Sequence, residues 1–415
     1  MLKKIICIFV IGIVLSACNA MAAKQNPPQE YLTWLEKLKS EMHSRGISQA
    51  TINQAFAKNY YHPRHQVIKK DRNQTEFVLT TSQYLSRVVS PQRVDEGRKK
   101  YQQLQKKYPR TLINVPLPYL ISFWGIETNF GMHKGGFEAI EALTLLSYDR
   151  RRSDFFKEEL YNALKIIDEG HISVDKMESS WAGALGHFQF MPSTMRRYGV
   201  DADKDGKIDI WNDFNDAIYS AANYLSKMGW NPNQPWGKPV SLKWNFDYAL
   251  TGRHRLKSVA EWKKDGVEVS GVNDEWQGAV IVPEGHRGQA YLVFENFNII
   301  MRWNKSENYA LAVGLLADKI QNRNLSKYIT KTETYKLTTQ EVQAIQHFIN
   351  KQKIAKVDTD GILGSKSKQA IQKLQKKFKL PADGYPDYRL LENIANFPKN
   401  GYYPPVPVQK LHRAK

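Results

Sequence analysis

The sequence predicts a mainly α fold carrying a small α/β insertion, followed by a separate three-helix module. Three observations lead there. Apolar residues recur at three- and four-residue spacing through most of the first half of the chain, as in Trp34, Leu35, Leu38 and Met42, which is the period of one buried helix face. Between residues 231 and 295 the texture changes to short apolar runs among glycines and prolines, the mark of strands and turns. A polar linker, 323–336, then precedes a second set of helical repeats over 337–397, with a tail at 398–415. With 415 residues, 42% of them hydrophobic and 12% aromatic, the chain can fill two or three cores and is too apolar to be disordered throughout.

The elements follow in order. Residues 24–28 form a polar, proline-bearing lead into the larger region, 29–322, whose first helix ends at Gly46 and whose second covers 47–56. Positions 93–108 read as a charged surface helix. Positions 117–126 (LPYLISFWGI) have no polar face to leave in water, so they are expected as a buried helix. Over 155–168, Phe156, Leu160, Leu164 and Ile167 share one face. In the insertion, 239–242, 267–270 and 291–294 read as strands, and helical spacing resumes over 309–320. The C-terminal module opens on Thr338 with Glu341 three residues later, a capping box. Val342, Ile345, Phe348 and Ile349 share a face, 360–364 turns, Ala370, Ile371, Leu374 and Phe378 mark a second helix, and 380–384 turns into a third.

The chemistry concentrates at two segments. Glu127 stands at the end of the apolar helix, in Trp124-Gly125-Ile126-Glu127-Thr128-Asn129-Phe130-Gly131. A carboxyl against apolar neighbours has its charged form disfavoured and is expected to keep a proton that it can donate. A glycosidase acid requires this, although a glutamate in such a place is more often a solvated helix end. The second segment, Ser180-Trp181-Ala182-Gly183-Ala184-Leu185-Gly186-His187-Phe188-Gln189-Phe190-Met191-Pro192-Ser193, offers glycines for close backbone approach and aromatic faces that suit a sugar ring. A net charge of +19 asks for an anionic partner. Nucleic acid is disfavoured, because no zinc-ligand framework, RNA-recognition signature or phosphate-binding glycine loop is present; a wall polymer bearing carboxylates fits. His133, His171 and His187 show no metal-ligand spacing and are read as surface or core residues.

On these segments the chain resembles the membrane-bound lytic transglycosylase B family. The stretch Tyr148-Asp149-Arg150-Arg151-Arg152-Ser153-Asp154-Phe155-Phe156 is similar to its paired-arginine segment. Asn296-Phe297, Arg302-Trp303-Asn304 and Tyr309-Ala310-Leu311-Ala312-Val313 are similar to its last block. The resemblance runs from about Tyr31 to Ile320. It implies a lysozyme-like core that cleaves the MurNAc-GlcNAc β-1,4 bond of peptidoglycan without water, leaving 1,6-anhydro-MurNAc ends, with Glu127 as acid and then base and no catalytic cofactor. Ser180, Phe188, Gln189, Met191, Trp303, Asn304 and Tyr309 would then contact the glycan strand, and Arg151 and Arg152 its lactyl or peptide carboxylates. Several family members carry tyrosine where this chain has Trp303, so a stacking face is kept and a hydroxyl lost, and any hydrogen bond made by that hydroxyl is in question. The module resembles the small three-helix peptidoglycan-binding domain. Two other readings stay open: a lysozyme-like hydrolase with Asp149, Asp154 or Glu141 as second carboxylate, and an inactive envelope scaffold that binds glycan strands.

Asp201-Ala202-Asp203-Lys204-Asp205-Gly206-Lys207-Ile208-Asp209 matches the first nine positions of an EF-hand loop, with the Lys207 carbonyl at position seven. Position twelve is Asn212, so the bidentate carboxylate would come from Asp213 or, as in extended loops of the family, Asp216. A structural calcium ion is expected there. At the start, residues 1–22 have a basic lead, an apolar run too short to span a bilayer and a cleavage region. Leu15-Ser16-Ala17-Cys18 resembles a lipoprotein box, which implies export to the periplasm and a lipid anchor on Cys18 in the outer membrane as the only membrane contact; cleavage after Ala22 would give a soluble periplasmic protein instead. Cys7 and Cys18 are the only cysteines, so no disulfide is expected in the mature chain. Cell-wall synthesis or division proteins are the expected protein partners.

Overall fold

The structure is a computed structural model, and it describes residues 27–58, 60, 79–149, 152–321 and 337–397. The signal segment with Cys18, Arg151, the linker and the tail lie outside the described residues. Helices α1 (Gln29–Ser44) and α2 (Gln49–Ala55) form the first pair, and α1 buries Tyr31, Leu35, Leu38 and Met42 as their spacing requires. The Ser48 hydroxyl accepts the Thr51 amide to start α2. Helices α3 (Thr81–Val88) and α4 (Pro91–Leu104) lead to a short hairpin, β1 (Thr111–Leu112) and β2 (Val115–Pro116). The chain then enters α5 (Leu117–Thr128), in which every residue from Leu117 to Gly125 is buried. A helix with no polar face is stable in water only when other helices enclose it. Here α4, α9 (Phe214–Lys227) and α12 (Glu307–Ile320) do so.

Strands β3 (Phe137–Glu138) and β4 (Glu178–Ser179) pair across the helices α6 (Ala139–Tyr148) and α7 (Ser153–Asp168), with α8 (Pro192–Tyr198) packed on α7. The insertion is an antiparallel sheet in the order β6-β8-β9-β5-β7, made of β5 (Gly237–Leu242), β6 (Lys257–Ser258), β7 (Val267–Glu268), β8 (Gln277–Ile281) and β9 (Ala290–Val293). One helix, α10 (Val259–Lys264), turns Trp262 into a separate core with Val240, Val280, Leu292 and Phe294. Strand β8 was not among the expected strands, although Ala279-Val280-Ile281-Val282 between Gly278 and Pro283 carried the signal. At the sheet edge β7 is shorter than 267–270, because only Ser241 and Leu242 pair with it. Helix α11 (Glu295–Trp303) returns the chain to the large core.

The module contains α13 (Thr339–Lys351), α14 (Ser365–Lys377) and α15 (Tyr388–Ala395), and the Thr338–Glu341 capping box forms. Its core of Val342, Ile345, Phe348, Ile371, Leu374 and Leu390 is its own. Among the described residues no helix is long and apolar enough to cross a membrane.

Candidate active site

Helix α5 delivers Glu127 half-buried at its last turn. The helix stops there because Asn129, Phe130 and Gly131 are all left-handed, at φ 50°, 59° and 84°. Gly125 makes this turn possible, since a Cβ there would lie 2.7 Å from the Phe130 ring. The junction of α11 and α12 brings two aromatic donors to the acid. The Tyr309 hydroxyl donates to Glu127 Oε1 at 2.5 Å and the Trp303 indole N–H donates to the same oxygen at 3.0 Å. Trp303 is held by Phe123 at 4.6 Å, Phe190 at 5.0 Å and Tyr224 at 5.1 Å between ring centres. Although the hydroxyl is absent at position 303, the indole N–H supplies a hydrogen bond to Glu127.

The glycine-rich segment closes on itself. Leu185 and Phe190 exchange backbone bonds of 2.7 and 3.0 Å, and Gln189 is left-handed at φ 52°. A Cβ on Gly186 would collide with the Ile210 carbonyl, and one on Gly183 with Leu143. This tight turn corrects one expectation: Phe188 and Phe190 point inward, 1% and 3% exposed, so Phe188 supports the site from below and offers no face to a sugar. The Gln189 amide donates to the carbonyls of Lys134 at 2.9 Å and Gly186 at 3.0 Å. The Ser180 hydroxyl accepts the amides of Ala182 and Ala184 and pins the start of the segment. Half-buried Met191 precedes α8, where buried Glu159 accepts the Ser193 amide at 2.9 Å and hydroxyl at 2.7 Å. Burial raises the Glu159 carboxyl pKa, with the Ser193 bonds opposing.

Other expected residues lie at the margin. Half-buried Asn304 accepts the Ser306 amide at 3.1 Å, helping to start α12. Arg152 is exposed before α7, its guanidinium 5.0 Å above the Phe156 ring. His187, read from the sequence as surface or core, instead joins the two segments: its Nδ1 accepts the Trp124 indole N–H at 3.0 Å. A donor three positions before the acid, matched by an acceptor inside the glycine-rich segment, was the available signal.

The aspartate loop is preformed. Asp201 accepts the amides of Lys204 at 2.7 Å and Gly206 at 2.9 Å, and Asp205 that of Lys207 at 2.8 Å. Carboxylate oxygens of Asp201, Asp203 and Asp205 lie within 4.8 Å of one another, as do those of Asp203, Asp213 and Asp216. Buried Asp216 accepts the amides of Ala202 and Asp209. Burial raises its pKa; those two amides oppose the rise, and the nearby Asp213 and Asp203 reinforce it. Asn212 donates its amide to Asp209 and supplies no carboxylate.

A buried helix ending in one glutamate clamped by aromatic donors, inside a helical core, defines a lysozyme-like enzyme acting on glycans. The chain belongs to the transglycosylase SLT domain family, whose profile matches residues 30–318, and residues 338–394 match the peptidoglycan binding domain. It is 29% identical over 244 residues to the membrane-bound lytic murein transglycosylase B of Escherichia coli (strain K12), spanning 57% of this chain and 66% of that relative's length. Among solved structures, SltB3 of Pseudomonas aeruginosa in complex with NAG-anhNAM-pentapeptide matches with a TM-score of 0.82 and 34% identity over 89% of this chain and 100% of that one. SltB1 of the same species matches at 0.62 and 28% over 70% of this chain and 98% of that one.

Proposed function

We propose that this chain cleaves the β-1,4 bond between MurNAc and GlcNAc of peptidoglycan without water. The observation that carries the reading is the Glu127 carboxyl, its Oε1 clamped by Tyr309 and Trp303. Glu127 gives its carboxyl proton to the glycosidic oxygen as the C1–O bond breaks. The resulting carboxylate takes the proton of the muramic acid 6-hydroxyl, whose oxygen bonds to C1 and closes the 1,6-anhydro ring. The acid is regenerated, and neither a nucleophilic carboxylate nor an activated water takes part. Gln189, Ser180, Met191 and Asn304 line the strand, and Arg151 and Arg152 meet its carboxylates. Mass spectrometry of products from purified sacculi tests this: anhydro-muramic ends are expected, and reducing ends would give the reaction to the hydrolase alternative.

The aspartate loop takes a calcium ion through Asp201, Asp203, Asp205, the Lys207 carbonyl and Asp216. The clustered carboxylate oxygens support this, since calcium takes six to eight oxygen ligands. The ion is structural and no step passes through it. Export to the periplasm with lipidation at Cys18 would set the enzyme beside its polymer. Loss of lipid labelling and release from membranes in a Cys18→Ala variant would test the anchor.

A further inference from the structure

His187 meets the acid-bearing helix on both sides of Glu127. Its Nδ1 accepts the Trp124 indole N–H at 3.0 Å, and its carbonyl accepts the Thr128 hydroxyl at 2.9 Å. Trp124 stands three residues before the acid and Thr128 one residue after. From the other side, the His187 amide donates to the Ile210 carbonyl at 3.1 Å, and its ring packs 5.4 Å from that of Phe214. Gly131 makes room for the ring, since a Cβ there would lie 2.7 Å from the imidazole Cε1. An Nδ1 that accepts puts the ring proton on Nε2. Burial, and after it the Lys134 charge, push the imidazole pKa down to about 4, while Asp209 pulls the other way. The acceptor therefore persists at neutral pH; an imidazolium would set one N–H against another.

We propose that His187 is a positioning residue that fixes the Gln189 turn against Glu127 through the acceptor at Nδ1. This rests on the reading of Glu127 as the acid. Gln189 follows two residues later in the same closed turn, so a shift of the His187 ring moves the strand-facing side of the site relative to the proton donor.

The test compares His187→Asn, His187→Gln, His187→Phe and Trp124→Phe in the full chain. Asparagine places its carbonyl oxygen where Nδ1 stands, glutamine does not, and phenylalanine fills the space with no acceptor. The asparagine variant is expected to keep kcat within about threefold, and the glutamine and phenylalanine variants to lose about 10- to 100-fold at unchanged KM, as misplacement near 1 Å does. Trp124→Phe keeps an aromatic ring and removes the indole N–H with the smaller half of the bicycle, so wild-type kcat in it would overturn the proposal even if His187→Phe does not fold. In the wild type the Trp124 indole proton resonance should shift with a midpoint near the imidazole value of about 4, and stay flat in His187→Asn. Wild-type kcat in a folded His187→Phe or Trp124→Phe variant, equal losses in His187→Asn and His187→Phe, or a flat wild-type indole signal would overturn the proposal. Reducing ends among wild-type products would instead overturn the anhydro-forming mechanism, and the ratio between His187 variants would still decide this one.

Discussion

At Glu127 the observed donors orient the carboxyl, and the proposed mechanism asks the same group to transfer a proton. Oε1 is occupied by the Tyr309 and Trp303 donors, which fix the plane of the group, and in the proposed mechanism the same carboxyl transfers the proton. Glu127→Gln keeps an oxygen acceptor for both donors but has no acidic proton. It should lower turnover by about 10²- to 10⁴-fold, the usual worth of a general acid, without changing the melting temperature; turnover near wild type would remove Glu127 from the mechanism. Tyr309→Phe takes away one of the two clamps. Its kcat should fall about tenfold, which corresponds to one hydrogen bond of roughly 1.4 kcal/mol, with KM unchanged. A rise in KM alone would make Tyr309 a substrate contact. Glu127 stands out in the sequence because the apolar run before it, 117–126, is local. Its donors come from 176 and 182 residues away, and only the family resemblance placed them near it. Replacing tyrosine by tryptophan removes a hydroxyl but keeps a donor, and here the indole N–H reaches Glu127.

Long periodic helices were legible as elements because their burial is a matter of spacing: α7 and α13 bury the residues expected of them, and α1 buries Leu35, Leu38 and Met42 but leaves Trp34 half-buried and adds Tyr31. The turn of 185–190 was not. Its aromatics read as faces for a sugar ring, and a left-handed Gln189 sends Phe188 and Phe190 into the core instead. The same turn gives a stability prediction. Gly186 is left-handed at φ 63° and its missing Cβ faces the Ile210 carbonyl, so Gly186→Ala combines backbone strain with a collision against main chain. A loss of about 2–4 kcal/mol is expected from these two named causes, read as a lower urea midpoint at unchanged slope. The aspartate loop behaves as an element of its own. Calcium should raise the melting temperature more than magnesium does, by mass action on the folded state. Asp203 belongs to both carboxylate groups, so Asp203→Ala should remove that difference; equal shifts with either ion in the wild type would leave the loop a polar turn.

Across the whole molecule the module has its own apolar core but meets the larger region through a polar seam. Asp383 accepts the His286 amide at 2.8 Å and pairs with its ring at 2.7 Å. The Gln372 amide reaches the Thr251 carbonyl at 3.1 Å. Glu307 bridges Arg253 at 3.0 Å and Lys368 at 2.7 Å. The Glu307 carboxyl must overcome its burial to ionise, yet Lys368, and then Arg253, hold its pKa down to about 2. A folded-state pKa below the unfolded value of about 4.3 stabilises the closed seam above that pH, and the contribution is lost as pH falls from there toward 2. Because the two cores are separate, loss of the seam should undock the module without unfolding either part. Small-angle scattering should therefore show a larger radius of gyration as the pH falls from 5 to 2.5, with far-ultraviolet circular dichroism unchanged. Lys368→Met should shift the same opening toward neutral pH, since Glu307 then keeps only Arg253. An unchanged radius in both experiments, with the helices intact, would mean that His286–Asp383 and Gln372–Thr251 suffice to hold the module in place.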